Sequence, residues 1–110
     1  MTSLISGTLI QIARIALDWK QDDLAEAAGC HISTVGKIEK NLDVNESTRA
    51  AIVEALEDAG IVFVSSGDGL GAGVRWSSLE LQEKIVAAKR DREIKNLDKR
   101  KKRRPNDHAG

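Results

Sequence analysis

At 110 residues the chain has room for one modest hydrophobic core and an appendage, which excludes a second independent domain. Hydrophobic residues make up 41% and aromatics only 3%, so the core has to be built from Ala, Ile, Leu and Val, a mix that favours helices. The formal net charge of zero hides a split, with 6 Lys/Arg against 11 Asp/Glu through Leu79 and then 11 against 6 from Glu80 onward.

The opening MTSLISGTLIQIARIA has no basic flank and carries Arg14 inside its apolar stretch. It fails as a secretory signal, and no uncharged run approaches the roughly 20 residues of a membrane span. A soluble, cytoplasmic protein with no membrane attachment is expected. From about Thr8 to Asp18, Leu9, Ile12, Ala13, Ala16 and Leu17 recur at three- and four-residue spacing and predict a first helix. A second runs from Gln21 to Ala28, with Asp22 and Asp23 in its first turn and Gly29 to stop it. A third spans about Ile32 to Lys40 and buries Val35 and Ile38. After a polar loop a fourth follows, capped by Asn45 or Ser47, with Ala51, Ile52, Ala55, Leu56 and Ala59 inward and Gly60 at its end.

The period then changes. Ile61–Val64 and Gly73–Trp76 read as two short strands joined by the flexible SSGDGLGA, a β-hairpin with a long loop. Ser77 and Ser78 offer a cap to a last helix from near Leu79, whose sparse apolar stripe comprises Leu79, Leu81, Ile85, Val86, Ala88, Ile94 and Leu97. Beyond Leu97 the string DKRKKRRPNDHAG buries nothing and is expected to fray into disorder. The expected fold is therefore mainly α: a four-helix domain over 1–60, a hairpin over 61–76, and a basic helix with a disordered tail over 77–110.

Only Gly29, Cys30 and His31 separate the second and third helices, which forces a sharp crossing. Ala25 is small where the two helices approach, Gly29 suits a left-handed turn, and Leu24, Ala28, Cys30, Val35 and Ile38 are apolar where both helices must rest on a core. All of these requirements met at one register over twenty residues are what a helix-turn-helix needs.

The run WKQDDLAEAAGCHISTVGKIE resembles the DNA-binding motif of the lambda-repressor/Cro-like, or XRE, family. The longer pattern from QIARIALDW through ALEDAGIVFV to GVRW is similar to short alphaproteobacterial regulators of that family with a Gly-Val-Arg-Leu-like ending. The resemblance covers about Leu9 to Trp76. It implies a transcriptional regulator, more often a repressor, that binds double-stranded DNA as a homodimer, in the cytoplasm and associated with the nucleoid. It places Ile32, Ser33 and Lys37 at base-facing positions and Thr34 beside them. Gln21 and Lys40 fall at backbone-contacting positions, and Arg14 and Glu39 at a partly buried ion pair between the first and third helices. Lys37 suits guanine, whose O6 and N7 accept, and Ile32 suits a thymine methyl.

Three departures stand out. Lys20 replaces the usual Ser or Thr cap, at a cost of about 1 kcal/mol. Gly36 inside the third helix costs up to about 1 kcal/mol relative to Ala. The loop NLDVNES is neutral to acidic where relatives are often basic, so weak binding is expected of the head alone, a deficit that a DNA-contacting tail would make up.

Other features take plainer readings. A single cysteine excludes an intrachain disulfide, and Cys30 with His31 gathers no ligand set, so neither metal nor cofactor is expected. The glycines at 67, 69, 71 and 73 do not open a helix as a phosphate-binding loop must. No nucleophile, base and orienting group can be assembled, so an enzyme is not expected. Trp19 reads as core, while Trp76 either closes the hairpin or meets a second subunit. Lys99–Arg104 reads as a DNA clamp or a solvated end. The alternative functions are an antitoxin-like regulator and an interaction adaptor, either using the basic tail to grip a protein partner.

Overall fold

Four of the five helices begin at a side chain that accepts from a free amide of the first turn, which is where each stretch of chain commits to helix. In the computed structural model, which describes residues 5–109 and the side chains of residues 5–99, Ser6 Oγ accepts from Leu9 N–H at 3.2 Å to open α1 (Gly7–Ala16). His31 caps α3 (Ile32–Glu39), Asn45 caps α4 (Glu46–Asp58), and Ser78 Oγ takes the Leu81 amide at the start of α5 (Leu79–Ala109). The exception is α2 (Gln21–Ala28), where the Lys20 ammonium cannot accept. Asp23 there accepts from the Lys20 amide at 2.8 Å, so half of a capping box stands in for the missing cap.

Helices α1 to α4 enclose an aliphatic core of Ile10, Ala13, Leu17, Leu24, Ala25, Val35, Ile38, Ile52, Val53, Ala55 and Leu56. Helix α2 lies against both α3 and α4, while α1 braces α3. The two ends of that brace meet closely. A Cβ at Gly7 would collide with the Ile38 carbonyl, and the Gly7 amide donates to Asn41 Oδ1 at 2.8 Å.

The hairpin pairs β1 (Ile61–Val64) with β2 (Gly73–Trp76) antiparallel, Ile61 opposite Trp76 and Val64 opposite Gly73. Alternation sends Ile61, Phe63, Val74 and Trp76 toward the helical core and leaves Val62, Val64 and Arg75 exposed. Trp76 Nε1 donates to the Ala16 carbonyl at 2.9 Å, so this ring ties the hairpin to the end of α1.

Three expectations need correction. The buried face of α1 is Ile10, Ala13 and Leu17, whereas Ile12 is 45% exposed. Apolar side chains surround most of this helix, and the face that turns inward is the one that also carries Arg14 to Glu39. In α5 only Leu81, which lies against Gly60, and Ile85 face the body; Leu79, Val86, Ile94 and Leu97 are exposed on the other side. The backbone also stays helical through Ala109 rather than losing order after Leu97. Lys and Arg are good helix formers, and a helix already nucleated upstream adds one hydrogen bond for each further residue that keeps its N–H, as all but Pro105 do.

Candidate nucleic-acid interface

The surface of interest is made by the joint between α2 and α3. Gly29 adopts φ 72°, a left-handed conformation that a side chain would strain, and Cys30 N–H then bonds back to the Ala25 carbonyl at 3.0 Å. Cys30 is half-buried in this turn, and burial pushes its thiol above the usual range. Its side chain packs against the helical core.

With Val35 and Ile38 fully buried, α3 turns its opposite side outward. Gln21, Ile32, Ser33, Gly36, Lys37, Lys40 and Leu42 line one shallow groove there. Five of the six residues proposed for DNA contact thus share a single concave surface. Thr34 does not line it and is half-buried beside it. Leu42, which the sequence did not suggest, lines it as well. It follows Asn41, whose φ of 62° ends α3 and lets the Leu42 amide return to the Lys37 carbonyl at 3.0 Å.

Beneath the groove lies a polar cluster. Arg14 Nε donates to Glu39 Oε2 at 2.7 Å and Nη2 to Oε1 at 3.2 Å, a bidentate pair joining α1 to α3. Gln21 Nε2 adds a third donor to Glu39 Oε1 at 2.9 Å, and Arg14 Nη1 donates to the Trp19 carbonyl at 2.9 Å. The pair is buried, with side-chain exposures of 12% and 4%, and the donors to Glu39 come from both α1 and α2. The cluster therefore fixes the angle of α3 and the start of α2 together. It also commits one amide proton of Gln21, a contact that sequence reasoning missed because a neutral amide leaves no charge pattern to read.

The helix-turn-helix family model matches residues 10–57, from Ile10 in α1 to the last turn of α4. This is a helix-turn-helix domain of the lambda-repressor-like, XRE type. Such domains are DNA-binding and regulatory. In a helix-turn-helix domain the second helix of the motif enters the major groove, and here that element is α3. No curated protein was found to match the chain.

The helix-turn-helix domain is flanked by α5. Arg92 grips Asp18 with two bonds of 2.6 and 2.7 Å, which hold its guanidinium further above its already high range. Asp18 lies three residues before Gln21, so this bond ties α5 to the turn that leads into α2. The cationic run at 100–104 lies outside the residues whose side chains are described, while Lys95 and Lys99 are exposed. Among the described residues no helix is long and apolar enough to cross a membrane, and no three His, Cys, Asp or Glu side chains gather where a metal ion could be held.

Proposed function

We propose that the chain is a sequence-specific repressor that binds duplex DNA as a homodimer. Ile32, Ser33 and Lys37 meet base edges, Thr34 supports them, and Gln21 and Lys40 meet phosphates. The observation that carries this reading is the groove, which gathers an apolar contact, a hydroxyl, two ammonium groups and an amide on the exposed side of a helix held by a buried ion pair. Lys37 can donate to guanine O6 and N7, and the first-turn amides of α2 beside Gln21 suit a phosphate.

In this reading residues 1–60 bind DNA, 61–76 form the dimer seam, and 77–110 are a basic arm. The outward Val62 and Val64 and the free edges of a two-stranded sheet favour the seam, since such a ribbon is stabilised by pairing across a two-fold axis. The working place of such a protein is the cytoplasm, at the nucleoid. A second reading, in which α5 grips a protein partner as in an antitoxin-like regulator or adaptor, is favoured by the exposed Leu79, Val86, Ile94 and Leu97.

Selection of bound sites from a random duplex library tests the proposal. It calls for a two-fold consensus with half-sites one helical turn, about 34 Å, apart. Failure to enrich any sequence would move the adaptor reading ahead.

A further inference from the structure

His31 stands at the N-cap of α3, next to Ile32 and in contact with Ser33; the inference rests on the base-facing role proposed above for Ser33. Two contacts converge on one ring atom, His31 Nδ1. The Ser33 backbone N–H lies at 3.1 Å and Ser33 Oγ at 2.9 Å. A backbone amide can only donate, so Nδ1 carries no proton and offers its lone pair. Ser33 Oγ then has to aim its own proton at that lone pair, because two lone pairs at this separation repel. The oxygen is left with acceptor capacity alone toward the groove. The same arrangement opens α4, where Asn45 Oδ1 accepts from the Ser47 amide at 2.8 Å and from the Ser47 hydroxyl as well.

We propose that His31 is a positioning residue that fixes Ser33 as a hydrogen-bond acceptor, so that the domain prefers adenine or cytosine to guanine or thymine on the strand Ser33 faces. A free serine hydroxyl both donates and accepts, and so tolerates any base edge. Once committed to His31 it only accepts. In the major groove adenine N6 and cytosine N4 donate, whereas guanine O6 and thymine O4 accept. Ser33 is exposed and lines the groove, which delivers the oriented oxygen to the place where a base edge would lie.

The test uses the full chain and four duplexes that carry its selected site and differ only at the base pair whose preference Ser33→Ala abolishes. The adenine and cytosine duplexes should bind about threefold to tenfold tighter than the other two, the worth of one net hydrogen bond. His31→Asn supplies the acceptor that Asn45 supplies in α4 and should keep that ratio. His31→Ala releases the hydroxyl and should bring the four affinities within about twofold of one another, the preferences elsewhere in the site being unchanged. Loss of a cap alone would weaken all four duplexes alike with the ratio intact, and that result would overturn the proposal. A wild-type preference for guanine or thymine at this position would overturn it too. A site whose preferences all survive Ser33→Ala removes Ser33 as a reader and the proposal with it, whereas a chain that selects no site overturns the reading beneath.

Discussion

Glu39 belongs to α3 yet accepts from Arg14 on α1 and Gln21 on α2, so three helices share one carboxylate that is almost wholly buried. Removing it in Glu39→Ala strands the Arg14 guanidinium among buried groups. The expected loss is about 3–5 kcal/mol of unfolding free energy, read from urea denaturation. On the surface the two lysines of α3 should separate cleanly. Lys37→Ala should lower affinity and relax the preference at one base pair, by about 1–3 kcal/mol if the partner is guanine, as measured on duplexes varied at that pair. Lys40→Ala should weaken all duplexes alike and reduce the slope of log affinity against log salt by about one. Not all of this was legible. Arg14 and Glu39 are 25 residues apart, a separation no periodicity can join, and only the family resemblance pairs them. Neither argument yields Gln21 as a third member. The cap supplied by His31 also left no signal, because imidazole is an uncommon cap; the need for an acceptor just before Ile32 was the one available clue.

Helix and strand positions were legible wherever the apolar period was unambiguous. The hairpin limits at Ile61–Val64 and Gly73–Trp76 follow from a change of period bounded by Gly60 and a glycine-rich loop. In α1 the period was ambiguous, because Leu9, Ile10, Ile12, Ile15 and Ala16 leave almost no polar side, and the contact of Arg14 with Glu39 decides the face. Gly7 gave no sequence signal because its reason lies on another element, the Ile38 carbonyl. Gly7→Ala should force α1 and α3 apart and cost about 1–3 kcal/mol, seen as a lower melting temperature without change in helix content at 25 °C. The extent of α5 was misjudged because a stretch that buries nothing was equated with one that has no structure. As a helix of 31 residues, about 46 Å long, moored by Arg92 to Asp18, it can carry charge well beyond the body. Truncation after Asp98 removes the Lys99–Arg104 run. It should weaken selected and unselected duplexes by similar factors and flatten the salt dependence, because unbroken cationic chain neutralises phosphates without reading bases. Unchanged affinity in a quantitative binding titration would instead favour α5 as a protein-gripping arm.

At the scale of the whole molecule the charge split acquires a use. The body through Leu79 has an excess of acidic residues, and DNA would repel it at long range; on the proposed reading the basic excess from Glu80 onward opposes that repulsion and speeds encounter at low salt. In the proposed reading, affinity and specificity come from different parts of the chain, phosphate neutralisation from α5 and base reading from α3. The fold class could be argued from the sequence because every local choice agreed with it, from the glycine of the α2–α3 turn to the aliphatic core. The division of labour between body and arm depends on where α5 is moored, which no local pattern encodes. The claim at the centre is that the α3 groove reads sequence. The most direct test is the ratio of affinities of the full chain for its selected duplex and for a scrambled duplex of equal composition, measured by fluorescence anisotropy at one fixed salt concentration. The account calls for a ratio of at least about 10³, falling sharply in Lys37→Ala. Equal affinity for the two duplexes would contradict it.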